Sequence, residues 1–307
     1  MTPSSERITG MFHATGAYLL WGVLPIYLWF AQPTGTVELI AWRVILSLVF
    51  CAGVLTVLKT WPRFVALVRQ PRVVLILALA GVLVLGNWLL YVWAVELGKP
   101  IEGALGYYLN PLVSMLFGMV FFGERMRPLQ WVAIALAATA LIVLIIGYGA
   151  PPWLSVSIAV TFALYGLVKK QLGARVDPVA GFTVETILVL PIALVMLLLV
   201  AANGNLTMGQ VSIGHTLVLL CAGIITSLPL LLFASATLRL LLVEVGFFQF
   251  ITPTMHFIVG LVLFGESMPL ERWIGFAFVW AALVVFVVDM VRQGRHARGG
   301  IVPGPGA

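Results

Sequence analysis

Residues 111–131 read PLVSMLFGMVFFGERMRPLQW, and residues 253–273 read PTMHFIVGLVLFGESMPLERW. Four residues of the first stretch return in the second at one displacement (253 − 111 = 142): Pro111, Gly123, Glu124 and Trp131 become Pro253, Gly265, Glu266 and Trp273. The pair Ala80-Gly81 returns as Ala222-Gly223 at the same displacement. A chain of 307 residues that repeats itself in this way is built from two copies of one unit.

The composition indicates that this unit lies in a lipid bilayer. Hydrophobic residues make up 62% of the chain and charged residues 9%, and the mean hydropathy is +1.12. A soluble domain is about a quarter charged, so this chain has too few polar residues for a water-facing surface. Long apolar runs predict helices, because helices satisfy their own backbone groups in lipid.

We predict an all-α integral membrane protein of ten transmembrane helices, arranged as two inverted five-helix repeats. The first repeat covers residues 11–146, the second covers residues 152–290, and residues 291–307 are expected to form a disordered cytoplasmic tail. The ten expected spans are residues 11–30, 36–58, 73–95, 102–122, 128–146, 152–169, 179–201, 214–236, 242–264 and 270–290. Five spans per repeat is an odd number, so the second copy enters the membrane from the opposite face.

Basic residues in the loops predict the orientation. Fourteen Lys and Arg residues fall on one side, among them Lys59, Arg69, Arg125 and Lys170, whereas Lys99 and Arg272 fall on the other. The positive-inside rule therefore predicts that both termini are cytoplasmic. The net charge of +6 is explained by these loops and does not indicate a nucleic-acid partner.

Arg43 is the sharpest functional signal, because a charged guanidinium inside an apolar span is costly and must face the interior of the bundle. Glu102 is a plausible partner, whereas Glu38 lies about 140° away round the helix. An internal ion pair that locks two helices remains the alternative to substrate binding. Asn87, Tyr107 and Asn110 are expected at a depth similar to that of Arg43, and these four residues predict a polar substrate cavity. Tyr91 lies four residues after Asn87 on the same helix face and is counted with them as a substrate-binding residue. Each alone is also typical of contacts that join helices.

The second half contributes Gln249 and His256 on one face of its fourth span. Gln249 is expected to bind substrate from the side opposite Arg43. Glu38, Glu102, Glu185 and His256 are candidates for gating or for coupling to protons, and helix capping or packing is the alternative for each. Glu124 and Glu266 each precede the last span of their half, where a carboxylate suits the N-terminus of the helix that follows, and both are expected to be structural.

Enzymatic and cofactor signatures are absent from the sequence. The four histidines are scattered, no P-loop or HExxH motif occurs, and Cys51 and Cys221 have no metal-ligand spacing. We therefore expect no cofactor and no metal. The expected partners are a small-molecule substrate and the lipid bilayer, with protons as a further candidate.

Several stretches resemble one family of membrane proteins. They are GAYLLWGVLP at 16–25, ELIAWR at 38–43, GNWLL at 86–90, EGALGYYLNP at 102–111, YGLV at 165–168 and GFFQ at 246–249. They look like RarD-type proteins, EamA-family members of the drug/metabolite transporter superfamily. The resemblance implies a ten-helix carrier of the bacterial inner membrane with two inverted five-helix halves, in which the fifth and tenth helices pack peripherally. Trp42 stands where the family pattern has a histidine.

The predicted function is that of a secondary transporter, and of an exporter, for small metabolites or drug-like molecules. The two halves would rock around a midplane cavity. A non-transporting receptor or scaffold is the first alternative, with Arg43 then fully paired inside the protein. An integral membrane enzyme is the second alternative.

Overall fold

The structure is a computed structural model that describes residues 3–97, 99–148, 153–263, 265 and 270–299. In this part of the chain it is all-helical, with no strand. We call α1–α7 the first half and α8–α14 the second half. The helices are α1 Pro3–Gly22, α2 Leu24–Phe30, α3 Thr36–Val57, α4 Trp61–Val68, α5 Pro71–Glu96, α6 Pro100–Phe122, α7 Pro128–Tyr148, α8 Trp153–Leu172, α9 Pro178–Ala202, α10 Ile213–Leu220, α11 Ala222–Arg239, α12 Leu242–Gln249, α13 Ile251–Val262 and α14 Leu270–Gly299.

Prolines and capping residues set many of the helix boundaries. Pro71, Pro100, Pro128 and Pro178 each begin a helix, where a missing N–H costs nothing. The Asp177 side chain accepts hydrogen bonds from the first free N–H groups of α9. Helix α6 ends at Gly123, whose φ of 62° lies in the left-handed region that favours glycine.

Nine segments among the described residues are long and apolar enough to cross a membrane. Three of them consist of two consecutive helices: Ser5–Phe30, Ile213–Arg239 and Leu242–Val262. In α7 the apolar part Pro128–Val143 is shorter than a full span. The structure therefore describes a multi-pass membrane protein whose helices fall where the sequence predicts them.

The contacts between the two halves form a regular pattern. Helix α3 packs against α9, α6 against α12, and α7 against α14, so each of these contacts joins a first-half helix to its counterpart. Helix α3 also packs against α11, and its counterpart α9 packs against α5, the counterpart of α11. Likewise, α1 packs against α11 while α8 packs against α5. These contacts are therefore preserved when the halves are exchanged.

The repeated Ala-Gly pair lies at two of these equivalent contacts. A Cβ atom on Gly223 would lie 2.3 Å from the Leu46 carbonyl oxygen of α3, and one on Gly81 would lie 3.0 Å from the Glu185 carbonyl oxygen of α9. No side chain fits at Gly223 without moving the backbone of the neighbouring helix. The repeated glycines therefore allow α11 to approach α3, and α5 to approach α9.

Polar contacts define two ends of the helix bundle. At one end, which we call the basic end, Arg63 of α4 pairs with Asp177 at the start of α9, and Lys170 of α8 pairs with Glu124 after α6. At the other end, which we call the opposite end, Thr34 before α3 contacts Thr207 in the α9–α10 loop. The loops rich in Lys and Arg thus come together at the basic end.

The last helix corrects one expectation. Residues 291–307 were expected to be disordered, but α14 continues to Gly299. Residues 291–299 contain no proline, and Arg, Gln and Ala among them are good helix formers. The remaining residues of the predicted tail lie outside the described part of the chain.

Candidate functional site

Arg43 lies two turns into α3 and reaches across to the second half. Its Nε donates a hydrogen bond of 2.9 Å to Thr226 Oγ1 of α11. Its guanidinium carbon lies 4.1 Å from the centre of the Trp88 ring of α5, a cation–π contact. Within the described residues no carboxylate lies within 4.0 Å of Arg43. The side chain of Glu102, its expected partner, lies outside the described residues.

Aromatic side chains surround this guanidinium. The phenols of Tyr27 and Tyr107 lie close enough to Arg43 to interact with it electrostatically. The rings of Tyr107 and Tyr91 contact each other, with centres 5.7 Å apart. Three of the predicted binding residues, Arg43, Tyr91 and Tyr107, therefore fall in one group, to which the structure adds Trp88 and Tyr27. We call these five side chains, together with Thr226, the Arg43 site.

Asn87 belongs to a different contact. Its side chain is 1% exposed, and its amide donates bonds of 2.7 Å to the Ile158 carbonyl and 3.1 Å to Thr161 Oγ1. It therefore joins α5 to α8. Trp88 faces Arg43 instead, because consecutive helical residues point about 100° apart.

Asn110 and Gln249 meet at the contact between α6 and α12. The Gln249 amide donates a 3.1 Å bond to Ser114 Oγ, and the Ser114 hydroxyl lies 3.4 Å from Asn110 Oδ1. All three side chains are buried. The structure therefore places Gln249, which was expected to bind substrate from the side opposite Arg43, in contact with Ser114 of the first half.

Glu38 fastens the two halves together at the opposite end. Its carboxylate accepts bonds from the Thr207 N–H at 3.0 Å, the Thr207 hydroxyl at 3.0 Å and the Met208 N–H at 3.1 Å, and also from Trp42 Nε1 at 3.2 Å. The carboxylate is 1% exposed and fully used. We call Glu38 and its contacts with Thr207 and Met208 the opposite-end latch.

Glu185 forms a buried ion pair inside the second half. Lys169 Nζ lies 2.6 Å from Glu185 Oε1, and the Tyr165 hydroxyl donates a longer bond of 3.4 Å to the same carboxylate. A cavity of about 20 Å³, roughly one water molecule, is lined by Glu185, Ser47 and Trp88. Glu185 and the Trp88 ring of the Arg43 site therefore line the same small cavity.

His256 fills a hydrogen-bonding gap in α1. Proline has no backbone N–H, so Pro25 cannot donate the usual helical hydrogen bond to the Trp21 carbonyl four residues earlier. His256 Nε2 lies 3.1 Å from that carbonyl oxygen and donates to it. This contact holds α13 against the break between α1 and α2, and it is a packing role of the kind that the sequence left open.

A set of contacts at the basic end is absent from the sequence predictions. Glu124 accepts 2.8 Å bonds from the N–H groups of Leu242 and Val243 and a 2.6 Å bond from Lys170. It therefore caps α12 of the second half, whereas the sequence assigned it to the helix that follows it. We call Glu124 and these three partners the basic-end latch. Three further ion pairs join the halves nearby: Arg7–Glu244, Arg239–Glu6 and Arg127–Asp289.

A second cavity lies among these ion pairs. Its volume is about 510 Å³, and Arg7, Arg127, Lys170 and Arg239 are among its lining residues. Each of these cations already has a carboxylate partner, so the cavity walls are close to neutral in charge. No group of three or more metal-ligating side chains occurs in the part of the chain described here.

Comparison with known proteins identifies the family. Residues 8–146 match the model of the EamA-like transporter family. The chain is 39% identical to protein RarD of Streptomyces exfoliatus, over 97% of this chain and 94% of that one. It is 37% identical to an uncharacterized transporter of Vibrio cholerae, over 97% of this chain and 98% of that one.

A solved crystal structure supports the fold. It superposes with a TM-score of 0.70 and covers 92% of this chain and 98% of its own, at 21% identity. At that identity the likeness shows the fold alone. The relatives at higher identity carry the assignment: the chain belongs to the RarD group of the EamA transporter family and is a multi-pass membrane transporter.

Proposed function

We propose that this protein is a secondary active exporter of small amphipathic metabolites or drug-like molecules. In this proposal two inverted five-helix halves rock about the Arg43 site, so that the site opens to one side of the membrane at a time. The protein would lie in the bacterial inner membrane with both termini in the cytoplasm, because the basic loops gather at one end of the bundle.

The contacts between the halves support the rocking mechanism. A pairing of helices that is preserved when the halves are exchanged is what a two-fold relation between them produces. Helix α7, from Pro128 to Tyr148, supplies the tenth span in this proposal. With five spans in each half, the two-fold axis lies in the membrane plane. The state open to one side and the state open to the other are then related by rotation about that axis.

The observation that carries the proposal is the position of Arg43 between the two latches. Both latches join the first half to the second, one at each end of the bundle. Arg43 lies between them and has no ion-pair partner among the described residues. A receptor or scaffold would need Arg43 to be paired inside the protein, so the lack of a carboxylate partner among the described residues supports a binding site.

The proposed binding residues fall into two groups. Arg43, Tyr91 and Tyr107 would contact the substrate directly, whereas Asn87, Asn110 and Gln249 would hold the neighbouring helices in register. Coupling to protons would pass through Glu185, which faces the Arg43 site across the small cavity. Glu38 would act as a gate in the opposite-end latch.

A flux measurement tests the proposed function. Purified protein in liposomes is screened with a panel of radiolabelled metabolites and drugs, with and without a pH gradient. We expect Arg43→Ala to abolish the flux of any molecule that the wild-type protein moves. Arg69→Ala, which removes an exposed arginine at the basic end, is the matched control. Normal flux in Arg43→Ala protein that remains monodisperse would remove Arg43 from the site.

A further inference from the structure

The guanidinium of Arg43 offers unused hydrogen-bond donors. Thr226 takes its Nε–H, and the Trp88 ring covers one face. Its two terminal amino groups have no hydrogen-bond partner among the described residues. These groups form one side of a planar fork, which matches the two oxygens of a carboxylate or a similar oxyanion.

Tyr27 adds a second unused donor beside the first. Its side chain is 9% exposed, and its hydroxyl is buried with no hydrogen-bond partner in the part of the chain described. This phenol interacts electrostatically with Arg43. A buried hydroxyl without a partner destabilises the folded protein unless a ligand or a water satisfies it. An oxyanion on the Arg43 fork would supply that acceptor.

The charges around the site favour an anion over a cation. Glu185 is already paired with Lys169, and Glu38 accepts hydrogen bonds from four donors at the opposite end. No carboxylate among the described residues is therefore left to receive an ammonium group near Arg43. A cationic ligand would instead meet the positive guanidinium without compensation.

The remaining walls of the site favour a flat ring. Trp88, Tyr91 and Tyr107 present aromatic surfaces, and the rings of Tyr91 and Tyr107 are already in mutual contact. Contacts between aromatic rings are more favourable than the burial of their area alone would make them. A planar aromatic body is thus better matched to these walls than a saturated one of equal size.

We infer that the Arg43 site binds an aromatic oxyanion: a carboxylate or similar acidic group seated on Arg43 and Tyr27, with its ring among Trp88, Tyr91 and Tyr107. This inference names the substrate class of the proposed transporter and rests on that proposed function. The remaining members of the site follow from it: Thr226 orients the guanidinium, and Trp88 holds it flat.

The test uses probes of permanent charge, because neutral forms of weak acids cross lipid unaided. Binding of benzenesulfonate, phenyltrimethylammonium and cyclohexanesulfonate to the purified full-length protein is measured by titration calorimetry. We expect benzenesulfonate to bind at least about tenfold more tightly than phenyltrimethylammonium, and several-fold more tightly than cyclohexanesulfonate.

Variants connect the binding to the named residues. Arg43→Gln is expected to weaken benzenesulfonate by at least about tenfold, and Arg43→Lys to restore it only in part, because lysine has the charge without the fork. Tyr27→Phe, which removes one hydroxyl and keeps the ring, is expected to weaken it several-fold. If Arg43→Gln fails to fold, the Tyr27→Phe result decides the matter.

Two sets of results would overturn the inference. One is binding of phenyltrimethylammonium as tight as that of benzenesulfonate, or no binding of benzenesulfonate at millimolar concentration. The other is benzenesulfonate binding that Tyr27→Phe and Arg43→Gln leave unchanged. If the wild-type protein binds benzenesulfonate through Arg43 but liposomes show no flux of it or of any panel molecule, the substrate class stands and the transport cycle fails.

Discussion

Weakening the opposite-end latch is expected to shift the protein toward a state that is open at that end. Glu38→Gln preserves the shape of the side chain, removes its charge, and points an amide toward the N–H groups of Thr207 and Met208. Three hydrogen bonds from Thr207 and Met208 cross between the halves, at 3.0, 3.0 and 3.1 Å. Hydrogen bonds to a charged acceptor exceed neutral ones by about 1 kcal/mol each.

This loss sets the size of the expected effect. Water partly compensates for the lost bonds in the open state. The free-energy difference that favours the closed state should therefore fall by about 2–3 kcal/mol. Since 1.4 kcal/mol corresponds to a factor of ten, the ratio of open to closed molecules should rise by roughly 30- to 100-fold. The basic-end latch should remain intact, because Glu124 and its partners are untouched.

Two buried alanines on α11 serve as reporters. Ala222 lies toward the opposite end and Ala236 toward the basic end, and both are fully buried. The native Cys51 and Cys221 are first replaced by alanine. Glu38→Gln should speed maleimide labelling of Ala222→Cys and slow that of Ala236→Cys, and Glu124→Gln should do the reverse. Glu96→Gln, an exposed carboxylate at the opposite end, is the control.

Two results would refute the reasoning. Equal acceleration at both reporters in the Glu38→Gln protein would mean general loosening of the bundle rather than rocking. Unchanged labelling at both reporters would mean that the latch does not hold the closed state.

Three further predictions concern packing, the buried ion pair and topology. Gly223→Ala should lower the melting temperature by several degrees, because its Cβ would lie 2.3 Å from the Leu46 carbonyl oxygen. Gly53→Ala is the control, since there is open space around Gly53 and the variant should not destabilise the protein. Equal melting temperatures for the two variants would contradict the close approach of α11 to α3. Glu185→Gln should lower the free energy of unfolding, measured by denaturant titration, by about 3–5 kcal/mol, because it leaves Lys169 buried without a countercharge. The double variant Lys169→Met, Glu185→Leu should recover most of that loss. A double variant no more stable than the single one would be evidence against this prediction. Gln171 and Gln210 are exposed, and each is replaced by cysteine in turn. The two thiols should react with an impermeant reagent added to opposite sides of the membrane. Labelling of both from the same side would rule out the ten-span topology.

The sequence predicted an all-helical membrane protein and the places of most of its helices, because in lipid the length and polarity of a segment decide most of its structure. The displacement of 142 residues between repeated motifs corresponds to the exchange of contacts such as α3–α11 and α9–α5. The repeated Ala-Gly pair marks two equivalent close approaches of helices. The tenth span remains a proposal, since the apolar part of α7 is short.

The candidate site was predicted less completely, because counting residues along a span gives depth and not rotation. The structure groups Tyr107 with Arg43. Asn87 faces α8 instead, and its neighbour Trp88 lies beside Arg43. A difference of one residue turns a side chain by about 100°. Helix rotation depends on packing against neighbours, which a single sequence does not contain.

The latches could not be predicted from local sequence, since each partner lies far away in the chain. Glu124 was assigned to the helix that follows it, yet it caps α12 of the other half. One signal was available: Glu124 and Lys170 both belong to loops on the predicted cytoplasmic side. Matching acids to bases across the two halves at each end would have suggested their ion pair.

Ser47 offers the most direct test of alternating access, because it lies one turn from Arg43 on the same face of α3 and is fully buried. In protein without native cysteines, Ser47→Cys is treated with an impermeant thiol reagent from one side of the membrane and then from the other. Labelling from each side is predicted, with Glu38→Gln favouring one side and Glu124→Gln the other. Labelling from one side alone, or rates on both sides that rise together, would contradict a site that opens to the two sides in turn.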